Sequence, residues 1–178
     1  QFMGTTADFM WQTMKEELDL PRSVDEYIEE MNRRREEMMQ QDGVRAIAHV
    51  QEFVKKLAAA GFELGVASSS RKSEIEHNLT ELGLTSYFSQ LVSSEEVVHS
   101  KPAPDVFLRT AELLGADPEN CLVFEDTRNG SKAAKAAGMY CIGFANPKYP
   151  VQDLVADEII QDFREINIAD LRNKREHF

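Results

Sequence analysis

Leu122-Val123-Phe124-Glu125-Asp126-Thr127-Arg128-Asn129-Gly130 opens as an apolar strand, stops on two adjacent carboxylates, and passes at once toward a helix. Apolar runs of this length bounded by polar breakers predict a strand over 121–124 and a helix over about 128–137, closed by Gly138. A second strand follows at Tyr140 to Phe144, and Glu158–Ile160 adds an edge strand. The same alternation continues on the N-terminal side. Ile47, Val50, Phe53, Val54 and Leu57 form an amphipathic helix over 47–59, followed by a strand-like run from Phe62 to Ala67. A helix over about 71–82, a short strand at Leu91-Val92 and a helix from Pro104 to Leu114 come next, and the tail ends in a helix near 168–176. Strands alternating with helices predict an α/β fold whose parallel sheet is covered on both faces. In such sheets ligands bind beyond the carboxyl ends of the strands, and Ser68, Glu125 and Asp126 each fall there.

Residues 1–42 have a different texture and read as helices alone. Thr5 or Thr6 caps a helix through Phe9, Met10, Trp11 and Met14 to Leu18, which Leu20-Pro21 breaks. Ser23, with Glu26 three residues on, forms a capping box for a second helix through Tyr27, Ile28, Met31 and Met38. Its methionines read as packing surface, and Arg33, Arg34 and Arg35 as a solvated face.

Composition bounds the function. Hydrophobic residues make up 42% of 178, enough for a core. Acidic residues outnumber basic ones 31 to 20, a net charge of −11 that argues against nucleic acid or an anionic membrane as partner. No apolar run approaches the roughly 20 residues of a membrane helix, so a cytoplasmic location is the default expectation. Cys121 and Cys141 sit in apolar runs and read as buried thiols.

Three stretches carry chemistry. Val66-Ala67-Ser68-Ser69-Ser70-Arg71 runs from strand into hydroxyls and a helix start, where unpaired N–H groups and the helix dipole favour phosphate. Serines in this position also serve simply as caps. Ser100-Lys101-Pro102-Ala103-Pro104-Asp105 holds an ammonium in a proline-stiffened turn ahead of a helix. Glu125 and Asp126, adjacent at a strand end, are costly without a cation nearby and offer the hard oxygens that Mg²⁺ takes; Asp126 is also placed to cap the next helix.

Taken in order, Ala-Ser-Ser-Ser, Ser-Lys-Pro-Ala-Pro-Asp-Val-Phe and Phe-Glu-Asp-Thr-x-x-Gly resemble the second, third and fourth motifs of the haloacid dehalogenase superfamily, in the branch around β-phosphoglucomutase and sugar-phosphate phosphatases. The similarity runs from Phe2-Met3-Gly4 to Gly143. It implies a three-layer Rossmann-like core over 43–178 and a partial helical cap over 1–42. It implies that Ser68 and the Ser69 backbone N–H bind the transferring phosphoryl group. Lys101 bridges nucleophile and phosphoryl oxygens, and Asp126 and Glu125 ligate Mg²⁺. Ser70 and Arg71 lie where mutase-like members hold a remote phosphate or sugar. The implied activity is a Mg²⁺-dependent phosphatase on a small phosphate ester, the alternatives being a β-phosphoglucomutase-type mutase or a non-catalytic binding module.

Some positions depart from the pattern. No Asp-x-Asp occurs, although the family's first motif supplies from it the nucleophile and the general acid/base, on a central strand. The core is therefore expected to lack that strand, leaving unpaired backbone groups that cost about 1–3 kcal/mol each if buried. The sequence is expected to begin part-way through a longer protein and to be inactive alone. Ala7 stands near where mutase-like members carry an Arg, and His49 reads as helix surface.

Overall fold

The computed structural model describes residues 6–148, 153–172 and 174. Thr6 caps α1 (Ala7–Leu18), its hydroxyl accepting the Phe9 N–H at 3.4 Å. The alternative cap, Thr5, lies outside the described residues. The Ser23–Glu26 capping box opens α2 (Val24–Asp42): the Ser23 hydroxyl accepts the Glu26 N–H at 3.2 Å and the Glu26 carboxylate accepts the Ser23 N–H at 2.8 Å. The two helices pack on each other, with Trp11 stacked on Tyr27 at 4.8 Å between ring centroids. The methionine reading holds except at Met38. Met10, Met14 and Met31 are half-buried, as packing surface, whereas Met38 is 62% exposed. Arg33 and Arg34 pair along the helix with Glu30 and Glu37, as on a solvated face.

Beyond residue 43 the order is α3 (Val50–Ala59), β1 (Gly65–Ser68), α4 (Lys72–Glu81), β2 (Gln90–Ser93), α5 (Asp105–Leu114), β3 (Leu122–Glu125), α6 (Arg128–Ala136), β4 (Tyr140–Phe144), β5 (Glu158–Ile160) and α7 (Ile168–Leu171). α3 begins three residues later than its apolar period suggests, because His49 adopts a left-handed backbone, φ 66°, that no helix continues through. β1 is shorter than the run from Phe62, its ladder matching the four residues of β2. The end of the expected last helix falls outside the described residues. Gly115, at φ +64°, closes α5 in the left-handed region that glycine enters without a Cβ penalty.

Among the described residues the ladders are all parallel, in two sheets: β1 with β2, and β3-β4-β5. Alternate residues of each strand feed opposite layers. Ala67, Val92, Val123 and Cys141 join the cluster under α5 and α6. On the other face, Leu122, Phe124, Ile142 and Phe144 join Phe53, Leu57 and Phe163, while Val66 and Leu91 join Val54, Ile75 and Leu79. This period-two division makes the chain a three-layer α/β structure with a Rossmann-like core. No described strand lies between β1 and β3. Among the described residues, no helix is long and apolar enough to cross a membrane.

Candidate active site

The site is built around one buried carboxylate. Glu125 ends β3 and is 9% exposed. One of its oxygens accepts the Thr127 backbone N–H at 3.0 Å and the Thr127 hydroxyl at 2.9 Å; the other accepts from the Lys101 ammonium. Gly130 makes room for this arrangement, since a Cβ there would stand 1.9–2.1 Å from the Glu125 carboxylate atoms. The Thr127 hydroxyl also accepts the Gly130 N–H at 3.0 Å and caps α6. The cap is thus Thr127 and not Asp126, which leaves the Asp126 side chain uncommitted to the helix end.

Lys101 reaches Glu125 from the turn before α5. It is one of few buried charged residues, at 7% exposure, and its ammonium also donates to the Ala67 carbonyl at 3.2 Å and lies 4.7 Å over the Phe107 ring. The Lys101–Pro102 peptide is cis. The turn is fastened to α5 through Asp105, whose carboxylate accepts the His99 backbone N–H at 3.2 Å and lies 2.9 Å from its Nδ1. The His99 side-chain hydrogen bond holds the Asp105 carboxyl below its ordinary value.

Ser68 is the last residue of β1, directly after the carbonyl that Lys101 grips, and its hydroxyl accepts the Ser70 N–H at 3.1 Å. Two serines at the end of β2 clamp the same turn: Ser93, fully buried, donates to the Ser70 carbonyl at 2.7 Å, and Ser94 to the Ser69 carbonyl at 3.3 Å. Lys101 thus ties the end of β1, one residue before Ser68, to Glu125 and the adjacent Asp126. Arg71 stands apart, more than half exposed, with its Nε 3.9 Å from Glu95 and its N–H donating to Glu74. Ser93, Ser94 and Thr127 carry no role in the sequence reading. The pattern of paired serines just after a short apolar run, repeated at 68–70 and 93–94, is the signal that marks the first two.

Asp126 is half-buried, and its carboxyl titrates above its ordinary value. Desolvation is the main cause, followed by the negative charge of Glu125, which outweigh its own backbone N–H and Lys101. An acid raised in this way gains from a cation beside it. The donor set is hard oxygen from one or two carboxylates, which suits Mg²⁺ with the remaining positions filled by water and phosphate oxygens. Among the described residues no group of three or more His, Cys, Asp or Glu side chains is gathered as a metal would need. Burial also pushes the neighbouring Cys141 thiol up to about 12, with the Glu125 and Asp157 charges adding to it, which leaves it inert.

These features define a class: a parallel α/β protein with a buried ammonium, a hydroxyl turn and paired acids at the carboxyl ends of its strands. The chain belongs to the haloacid dehalogenase-like hydrolases, whose family pattern matches residues 1–144. It is 34% identical over 172 residues to the bifunctional riboflavin kinase/FMN phosphatase of Arabidopsis thaliana, covering 94% of this chain and 44% of that protein. It is 36% identical over 124 residues to hexitol phosphatase B of Escherichia coli, covering 68% of this chain and 56% of that protein. The chain therefore spans about half the length of these curated relatives. Among solved structures, β-phosphoglucomutase from Clostridium difficile superposes with a TM-score of 0.82 at 19% identity, covering 98% of this chain and 79% of that one, which shows the shared fold.

Proposed function

We propose that this chain carries most of the active site of a Mg²⁺-dependent phosphatase acting on a small phosphorylated metabolite, of the sugar-phosphate class. The observation that carries the reading is the Lys101 ammonium, buried at the strand ends and held at once by the Ala67 carbonyl and Glu125. A cation fixed there faces the place where phosphoryl charge accumulates and needs no reorganisation to meet it. Ser68 and the Ser69 backbone N–H receive the phosphoryl oxygens, with Ser93 and Ser94 holding their turn rigid. Ser70 and Arg71 contact the part of the substrate that is not transferred. Glu125 orients Lys101 and, with Asp126, holds the metal. When bound, Mg²⁺ would supply charge neutralisation on the phosphate. The helices over 1–42 act as a partial cap over the core of 43–178.

Relatives named as phosphatases of FMN and of hexitol phosphates support the substrate class. The attacking aspartate belongs to an Asp-x-Asp motif that this sequence does not contain, so it is supplied from outside the chain and the chain alone turns over negligibly. The test measures inorganic phosphate released from hexitol and hexose phosphates with and without Mg²⁺, by this chain and by the full polypeptide its gene encodes. Mg²⁺-dependent release by the full polypeptide, lost in Lys101→Met, is expected. Robust turnover by this chain alone refutes the external nucleophile, and none by either refutes the phosphatase.

A further inference from the structure

Two carboxylates close the start of α4. Glu74 gives one oxygen to the Arg71 N–H at 3.3 Å, and Glu95, from the turn after β2, gives one to the Lys72 N–H at 3.5 Å. The Ser70 N–H is taken as well, by the Ser68 hydroxyl at 3.1 Å. The free N–H groups and the dipole of a helix start otherwise favour an anion. The second oxygen of each acid faces an arginine. Glu74 Oε1 lies 3.8 Å from Nη1 of Arg35, which reaches over from α2, and Glu95 Oε1 lies 3.9 Å from Arg71 Nε. Lys72, beside them, is paired with Glu96 at 3.2 Å. Arg35, Arg71 and Lys72 are thus each matched by an acid, in Glu74, Glu95 and Glu96. A second anionic group on a substrate would meet no excess of positive charge in this group.

The two arginine pairs are also open. A direct hydrogen bond from a nitrogen is about 2.7–3.2 Å long, and Arg33 and Arg34 stand 2.6–2.8 Å from Glu30 and Glu37. At 3.8 and 3.9 Å, Arg35–Glu74 and Arg71–Glu95 attract without closing, and exposed pairs of this kind hold together weakly. Each keeps N–H donors and an acceptor oxygen for a third group. A hydroxyl is both donor and acceptor, so it fits such a pair, donating to the carboxylate and accepting from the guanidinium. The pairs are neighbours, since Glu74 binds the Arg71 N–H, and neighbouring hydroxyls suit them. We infer that the site selects phosphate esters whose untransferred part is neutral and carries neighbouring hydroxyl groups. Glu74 and Glu95 set this choice. They close the start of α4 to a second anion, and they hold Arg35 and Arg71 in pairs that a hydroxyl can enter. The inference rests on the phosphatase reading for where the ester lies, beside Ser68 and Ser69; the charge balance stands without it.

The test uses the full polypeptide that the gene encodes, with glucitol 6-phosphate, fructose 1,6-bisphosphate and ethyl phosphate. Phosphate release with Mg²⁺ gives kcat/KM for each ester, and calorimetric titration without Mg²⁺ gives each Kd. Glucitol 6-phosphate is expected to be favoured over both others at least about tenfold in both measures. Glu74→Gln combined with Glu95→Gln keeps an oxygen for each backbone N–H and removes both charges. It should move the ratio of glucitol 6-phosphate to bisphosphate at least about tenfold toward the bisphosphate, and each single variant should move it the same way. A wild-type preference for the bisphosphate, equal use of ethyl phosphate, or an unchanged ratio in the variants overturns the inference. The wild-type order decides it even where a variant fails to fold. Binding in the expected order without turnover of any ester refutes the phosphatase and leaves the selection standing. Turnover without that order refutes the selection and leaves the phosphatase, and esters that neither bind nor react count against both.

Discussion

Replacing Gly130 with alanine puts one methyl group where the structure has a carboxylate. The new Cβ would lie 1.9 Å from Glu125 Cδ and 2.0 and 2.1 Å from its oxygens, whereas unbonded carbon atoms settle at about 3.5–4.0 Å. The carboxylate must retreat by about 1.5 Å or more. Its bonds to Thr127 are 3.0 and 2.9 Å long and do not survive that movement, nor does the contact with Lys101. Both side chains of the pair are buried, 5% exposed for Lys101 and 8% for Glu125, and separating such a pair costs about 3–5 kcal/mol. Alanine returns about 1 kcal/mol through its better helix propensity at this first-turn position, so the net loss is about 2–4 kcal/mol. With a urea slope of about 2 kcal/mol/M, the midpoint falls by about 1–2 M. The decisive measurement repeats the substitution in a Glu125→Ala background. With no carboxylate to displace, Gly130→Ala should there cost nothing and gain up to about 1 kcal/mol. An equal loss in both backgrounds would show that Gly130 does not act through Glu125, and the reasoning fails.

Three further outcomes follow. Ser93→Ala strips the Ser70 carbonyl of a buried 2.7 Å donor, so stability should fall by about 1–3 kcal/mol by urea titration, and KM for the phosphate ester in the full polypeptide should rise; no change in either removes Ser93 as the clamp. If Mg²⁺ binds at Asp126 with a Kd of about 1 mM, adding 10 mM Mg²⁺ should raise the unfolding free energy by about 1.4 kcal/mol; Asp126→Asn should abolish the gain, and an unchanged gain moves the metal elsewhere. Burial works to raise the Asp157 carboxyl, but the Cys141 N–H at 2.8 Å and the Lys135 ammonium at 2.6 Å outweigh it and leave it below its ordinary value. A depressed carboxyl contributes stability above its unfolded value of about 3.9 and loses it as pH falls through its folded one. Asp157→Asn should therefore flatten the acid limb of the stability profile, and an identical limb excludes the pairing.

What the sequence reveals and what it hides divide along one physical line. Features decided by neighbours in the chain were legible: β4 over Tyr140–Phe144 and β5 over Glu158–Ile160 match the apolar runs, and the Ser23–Glu26 box opens α2 where local capping chemistry puts it. The placement of Ser68, Glu125 and Asp126 at strand ends is local in the same sense. Features decided across the fold were not. Gly130 could be quoted as part of a motif, but its reason is a side chain five residues back that turns into its missing Cβ. Ser93 clamps a carbonyl 23 residues earlier, and Lys101 reaches a carbonyl 34 residues away. Met38 reads as packing surface by its type and spacing, yet it stands 62% exposed on α2. Lys101 joins the two kinds of feature: its motif is local, but an ammonium so deeply buried costs free energy unless acceptors surround it, and the fold brings it the Ala67 carbonyl and Glu125 from two other strands.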